Sequence, residues 1–268
     1  MTITLSQISI YPIKSCAGFS SETWELEPRG FRFDRRWMLV DDEGRFLSQR
    51  EFPRMALIAV EVKSDYLRVT APRMNALFVP FAPESNKHIP VVIWEDGVEA
   101  VSVGDEAAEW LSEFLGVSCK LVVMTERSIR PVDQTYAVNN DVVSFADGFP
   151  LLLISEASLA DLNSRLEAPV PMKRFRPNLV VKGCEAFAED SWKEILIGNI
   201  KLHVVKPCAR CTITTVDPET GEKGQEPLRT LAAYRSINNK VLFGQNVLHA
   251  TNGSLHVGDT INLLSATH

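Results

Sequence analysis

The sharpest chemistry in this chain sits in Lys206-Pro207-Cys208-Ala209-Arg210-Cys211, where two thiols flank a cation and a second cation lies close by. Four chemistries suit such a pair. A structural zinc site takes four ligands, normally two such pairs or one pair with two histidines. Here there is one pair, and the nearest histidine, His203, has no histidine partner at finger spacing. A thioredoxin-type dithiol sits at a helix N-terminus, where the dipole lowers the thiol pKa. The β-branched run Thr212-Ile213-Thr214-Thr215-Val216 that follows predicts a strand instead. Two small thiols packed in a sheet is the plainest reading. The fourth is a single thiolate offered to a soft metal or a metal-bearing cofactor. In an extended segment, residues three apart point to opposite faces, so one thiol need enter the site. Arg210, with Lys206 nearby, favours thiolate over thiol. Periodicity does not choose between the two cysteines.

Three other segments could meet that site. Tyr11-Pro12-Ile13-Lys14-Ser15-Cys16-Ala17-Gly18 brings a cation and a hydroxyl into a tight turn after the first predicted strand. Lys173-Arg174-Phe175-Arg176-Pro177-Asn178 is a basic loop entering a strand. Its arginines carry planar forks suited to phosphate, and Asn178 can both donate to and accept from a heterocycle. Asp34-Arg35-Arg36-Trp37 adds a third basic spot. Taken singly, the lysine turn and the basic loop are better explained as solvated charge; gathered around a thiol pair, the three suit an anionic cofactor.

Composition bounds the rest. The 268 residues, 45% of them hydrophobic, are enough for one large domain or two of about 100–150 residues each. A pI near 5.5 weighs against nucleic acid as a partner. Apolar runs such as Leu151-Leu152-Leu153-Ile154 are too short for a membrane span. Met1-Thr2-Ile3-Thr4-Leu5 has no basic n-region. These features predict a cytoplasmic protein without a membrane partner, whose five cysteines stay free.

The elements that must position these residues read as mainly β. Ile3, Leu5, Ile8 and Ile10 predict a half-buried strand with one phase shift. Arg36–Val40, Asp41–Arg45 and Phe46-Leu47 predict a hairpin, and further strands are expected at 57–62, 67–69, 91–94 and 98–103. Ala107, Trp110, Leu111, Phe114 and Leu115 share one face of a helix ended by Gly116. Residues 125 to about 145 read as a crossing loop or boundary. Then come a buried strand at 150–154 and a helix capped by Ser155, with Leu159, Leu162 and Leu166 on one face. Strands are predicted at 178–181, 195–197, 201–205, 212–216, 241–243 and 260–264. A short helix starting near Pro227 carries Leu228, Leu231 and Tyr234.

In this order, Tyr11-Pro12-Ile13-Lys14-Ser15-Cys16, Phe33-Asp34-Arg35-Arg36-Trp37, Ser155-Glu156-Ala157-Ser158-Leu159, Phe175-Arg176-Pro177-Asn178, Cys208-Ala209-Arg210-Cys211 and Asp217-Pro218-Glu219-Thr220-Gly221 resemble the MOSC-domain proteins. Within them the chain is most similar to the amidoxime-reducing-component type and its bacterial relatives. The resemblance implies an α+β, mainly β fold: an N-terminal MOSC β-barrel domain (1–125) and a C-terminal MOSC β-barrel-like domain (126–268) with a few covering helices. It implies a molybdenum cofactor (Mo-molybdopterin) held between them, with Cys211 as the metal ligand and Cys208 facing away.

The same resemblance assigns cofactor contacts to Lys14, Ser15, Arg35, Arg176, Asn178 and Arg210, and places Asp147 as a candidate proton donor. At Gly148 and Phe149, relatives have a small hydroxyl pair; at Ala209, a serine; at Asn246, a tyrosine. At the first two positions backbone amides can still donate. The implied reaction is reduction of an N-hydroxylated compound, such as an amidoxime, hydroxylamine or base analogue. With no four-cysteine cluster set before His268, electrons are expected from a separate ferredoxin, flavodoxin or reductase. The competing readings are a non-catalytic carrier of molybdenum cofactor or sulfur, and a plain β-barrel binding module.

Overall fold

The computed structural model describes residues 2–83 and 86–267; Met1 and His268, the outer limits of the expected domains, lie outside it. Strands dominate, with three α-helices among the described residues: α1 (Asp105–Leu115), α2 (Glu156–Asn163) and α3 (Leu228–Tyr234).

The first strand, Thr4–Ile10, joins the sheet of the chain's second half. There it pairs antiparallel with Leu179–Lys182. That sheet runs on through Leu151–Ser155, Lys240–His249, Ile200–Ala209 and Trp192–Ile197 to Ile261–Ala266. Backbone bonds from Leu5 N to Asp259 O (2.9 Å) and from Ile261 N to Ile3 O (2.8 Å) close it into a barrel. The phase shift read in the first strand is a register shift between Leu5 and Gln7. Leu5, Ile8, Leu153, Val181, Ile195, Leu202 and Val247 fill the barrel, as inward alternation requires.

The first half builds two smaller sheets. Trp37–Val40, Lys120–Met124, Asp96–Ser102 and His88–Ile93 form one, and Ala59–Val62, Tyr66–Thr70 and Leu77–Pro80 the other. Helix α1 seals their shared core with Ala107, Leu111 and Phe114, and Gly116 ends it in the left-handed conformation (φ 72°). Ser155 caps α2 as expected, its side chain accepting from Ser158 N. That helix ends at Asn163, before Leu166.

Two expectations are corrected near the cysteines. The run Thr212–Thr215 is a 3₁₀ turn rather than a strand. The Thr214 hydroxyl donates to Cys211 O (3.0 Å) and that of Thr215 to Thr212 O (2.8 Å). Such local bonds give a β-branched segment an alternative to the ladder. The preceding strand also runs further than predicted, through Lys206, Pro207 and Cys208 to Ala209. The pairing of Phe46-Leu47 with Val40 and Leu39 is brief, and strands at Phe19–Ser21, Thr23–Glu27, Leu77–Pro80 and Gly253–His256 were not expected.

Candidate functional site

One open cleft lies where the segment after the first strand, the loop at 145–149, the basic loop before Leu179 and the end of Ile200–Ala209 converge. Lys14, Ser15, Arg35, Asp147, Gly148, Phe149, Arg176, Asn178, Ala209, Arg210, Cys211 and Asn246 all line it. Its inner cavity of about 130 Å³ is below the roughly 300–1,000 Å³ of small-molecule pockets. A cofactor-sized ligand anchored here therefore keeps part of its surface open.

Cys208 lines the cleft beside Cys211, against the expectation that it faces away. Strand alternation stops at Ala209, and the chain turns into the Thr212–Thr215 helix, so the two thiols need not sit on opposite faces. Arg210 Nη1 donates to Cys208 Sγ at 3.0 Å and Nη2 to Phe175 O at 2.6 Å. Lys206 turns elsewhere, 4.3 Å from the Tyr136 ring centroid and 5.7 Å from that of Phe149. All five cysteines are free. Burial pushes the Cys16 thiol up to about 12, which leaves it protonated packing.

The arginines are fixed from behind. Arg35 Nη1 donates to Asp34 Oδ2 (2.6 Å) and Asn178 Oδ1 (3.1 Å). Both Arg35 and Arg176 place their guanidinium carbon 4.3 Å from the Tyr11 ring centroid, so one buried tyrosine positions two cations. Burial, then the neighbouring Arg35 charge, pulls Arg176 down to about 10, still cationic at neutral pH. Burial likewise raises the carboxyl of Asp34, with Arg35 opposing. Asn178 is saturated within the protein. It also donates to Ser9 O and Asp34 Oδ1 (3.1 Å each) and accepts from Leu152 N at 3.3 Å. Ser15 (φ 64°), Arg35 (φ 49°) and Arg176 (φ 57°) all adopt the left-handed backbone. For non-glycine residues this is strain of about 1–3 kcal/mol each, a cost that clusters at functional sites.

Lys14 is 5% exposed. Its ammonium donates to Phe145 O (2.8 Å) and Asp147 Oδ1 (2.5 Å). Burial lowers its pKa, with Asp147 opposing. The Asp147 side chain keeps 60% of its surface open. Partial desolvation works against its charge, but Lys14, then Arg50 and Arg35, outweigh that and hold the carboxyl well below the usual carboxylate range. Asp147 is therefore ionised at neutral pH and holds no proton to give.

Three residues were missed from the sequence. Arg130, 3% exposed, donates from Nη1 to Ser144 O (3.0 Å) and Ala146 O (2.5 Å), from Nη2 to Asp147 O (3.1 Å), and from Nε to Asp96 (2.7 Å). It thereby holds the 144–147 loop. Gln49 Nε2 donates to Ser15 O (2.6 Å), fixing that turn. Arg50 Nη2 stands 3.7 Å from Asp147 Oδ2. Their roles rest on contacts across 14 to 97 residues of chain, which local pattern does not carry.

The cleft can be tested for an anionic group. Arg176 Nη2 and Arg210 Nε are buried N–H donors with no hydrogen-bond partner. A ligand oxygen in the cleft would satisfy both; Arg36 Nε, Trp37 Nε1 and Arg174 Nε, outside the cleft lining, are unpartnered as well. Among the described residues no group of three or more His, Cys, Asp or Glu side chains could hold a metal ion. A metal here would need most of its ligands from a non-protein group, with Cys211 or Cys208 as a single soft donor.

This fold and this cleft define a class. Residues 2–118 match the MOSC N-terminal beta barrel domain and residues 140–262 the MOSC domain, and the chain belongs to that family. Within it, the chain is 39% identical to the mouse mitochondrial amidoxime-reducing component 1, over 97% of this chain and 82% of that protein. It is 37% identical to the human protein of the same name, over 97% of this chain and 83% of that one. It also resembles the crystal structure of the YUAD protein from Bacillus subtilis, at 10% identity and a TM-score of 0.46, over 97% of this chain and 94% of that one. No described helix is long and apolar enough to cross a membrane, and the curated relatives are named as mitochondrial, where composition had suggested the cytoplasm.

Proposed function

We propose that this chain is a molybdenum-cofactor oxidoreductase reducing N-hydroxylated compounds, amidoximes and hydroxylamines among them, with electrons from an external donor protein. The observation that carries this reading is the gathering of a partly accessible thiol, Cys211, with Lys14, Arg35, Arg176 and Arg210 in one cleft. The names of the curated relatives support it.

The cofactor supplies the two-electron and oxygen-atom chemistry when bound. Cys211 provides the thiolate that ligates the metal. Arg176 and Arg210 offer their unpartnered N–H donors to the cofactor's anionic part, where charge-assisted bonds are strongest. Ser15 and the amides of Gly148 and Phe149 add neutral donors, while Ala209 and Asn246 form wall. Asn178, saturated by protein, acts by holding Arg35. Lys14 is the group that holds a proton at the cleft, and ionised Asp147 orients it.

The test is reduction of benzamidoxime and hydroxylamine by the purified chain from a cofactor-replete host, with a reduced viologen dye as donor, beside molybdenum analysis. Retained metal and amidine formation are expected. Readily lost molybdenum with no reduction would favour the carrier reading instead.

A further inference from the structure

A second hollow, about 840 Å³, opens beside the cleft and is walled by Phe46, Arg50, Phe52 and Trp94. Side chains lining one touch side chains lining the other. Arg50 Nη2 reaches to 3.7 Å from Asp147 Oδ2, and the Lys14 ammonium lies 5.1 Å from the Phe46 ring centroid.

Trp94 stands at the junction in an unusual way. Strands His88–Ile93 and Asp96–Ser102 pair Ile93 with Asp96, leaving Trp94-Glu95 as a two-residue hairpin loop. Trp94 has φ 58°, a conformation that such loops normally give to Gly, Asn or Asp. A tryptophan there is strained, yet the residue is 48% exposed, so burial in the core does not explain it. Arg50 lies over the indole at 4.6 Å and Phe46 meets it edge-on at 5.1 Å. The hairpin tip is also held in place. Arg130 bonds Asp96 on one side and the carbonyls of Ser144, Ala146 and Asp147 on the other. One buried guanidinium thus ties the tip presenting Trp94 to the loop presenting Asp147.

We propose that this hollow is the substrate subsite, and that Trp94, backed by Arg50 and Phe46, stacks the planar aromatic or heteroaromatic ring of an N-hydroxylated substrate whose head group enters the cleft. The inference rests on the oxidoreductase reading above. In the reaction, an amidoxime takes two electrons from the external donor and two protons. The N–O bond breaks, the oxygen leaves as water, and the amidine formed takes up one more proton as a cation. The subsite's charges suit that sequence. Lys14 and Arg50, bridged by ionised Asp147, meet a neutral head group where the hollow adjoins the cleft. Asp41, Glu43 and Glu51 outnumber the cations Arg45 and Arg50 along the hollow and favour uptake of the cationic product from the cleft.

The experiment compares wild type, Trp94→Gly and Trp94→Phe. Glycine suits the backbone at this position, so loss of the fold is not at issue. The ratio of kcat/KM for benzamidoxime to that for acetamidoxime, which has no ring, is expected to fall about tenfold in the glycine variant, the yield of one aromatic contact. The phenylalanine variant should recover most of it. Molybdenum content should match wild type in both. An unchanged ratio would overturn the proposal, as would equal losses for both substrates. Equilibrium dialysis of benzamidoxime reads the subsite without turnover. Weaker binding to the glycine variant supports the subsite even if no reduction is found in wild type, which would defeat only the oxidoreductase reading. Equal binding to all three proteins defeats the subsite itself.

Discussion

Replacing Arg130 is expected to be among the most damaging changes outside the cleft lining. Arg130→Met deletes a cation that is 3% exposed and leaves the carbonyls of Ser144 and Ala146 without their donor. An unsatisfied buried acceptor costs about 1–3 kcal/mol, so two carbonyls losing their donor together cost about 2–6 kcal/mol. Asp96 is 51% exposed, so little of the loss comes from that ion pair. We take about 3–5 kcal/mol in total, which for a chain of this size lowers Tm by on the order of 10 °C. Arg130→Lys should recover less than half, since one ammonium cannot replace a fork that reaches three carbonyls. Urea titration followed by circular dichroism reads the change. A loss below about 1 kcal/mol would refute the reasoning. It would mean that the bonds from Ser144 Oγ to Asp34 O and from Phe145 N to Arg35 O already hold the loop.

Arg176→Gln and Arg210→Gln should each weaken cofactor retention about ten- to a hundredfold, the loss of one charge-assisted bond. Molybdenum content after dialysis measures it, and retention equal to wild type in both would count against the anion site. Asp147→Asn probes pH. A depressed folded pKa gives stability that is complete above the unfolded value near 3.8 and is lost as pH falls through the folded one. The Tm gap between wild type and Asp147→Asn should therefore stay flat from about pH 5 to about pH 8 and narrow only in strong acid. A gap that closes between those limits would show the carboxyl titrating near neutrality.

Much of the architecture was legible because it is written in short-range pattern. Alternation at Ile3, Leu5, Ile8 and Ile10, the apolar face ending at Gly116, and Ser155 as a cap each depend on neighbours a few residues away. The pairing of the first strand with Leu179–Lys182 was not legible, because sheet partners more than 170 residues apart leave no local trace. Thr212–Thr215 misled for a specific reason: threonine hydroxyls bonding back to carbonyls three residues earlier outweighed β propensity. At the cleft, residue types were readable and their states were not. Asn178 reads as a ligand-facing amide until its four protein bonds are seen, and Asp147 as a proton donor until Lys14 is found against it. Arg130 and Trp94 carried no signal as single residues; their meaning lies in what the fold sets beside them.

The account stands most directly on Cys211 as the single protein ligand to the metal. Wild type, Cys211→Ser and Cys208→Ser, produced in the same cofactor-replete host, are to be analysed for molybdenum per chain under non-reducing purification. The account predicts metal in wild type and in Cys208→Ser, and its loss from Cys211→Ser with an unchanged circular dichroism spectrum. Equal molybdenum in wild type and Cys211→Ser, or loss only from Cys208→Ser, would contradict it.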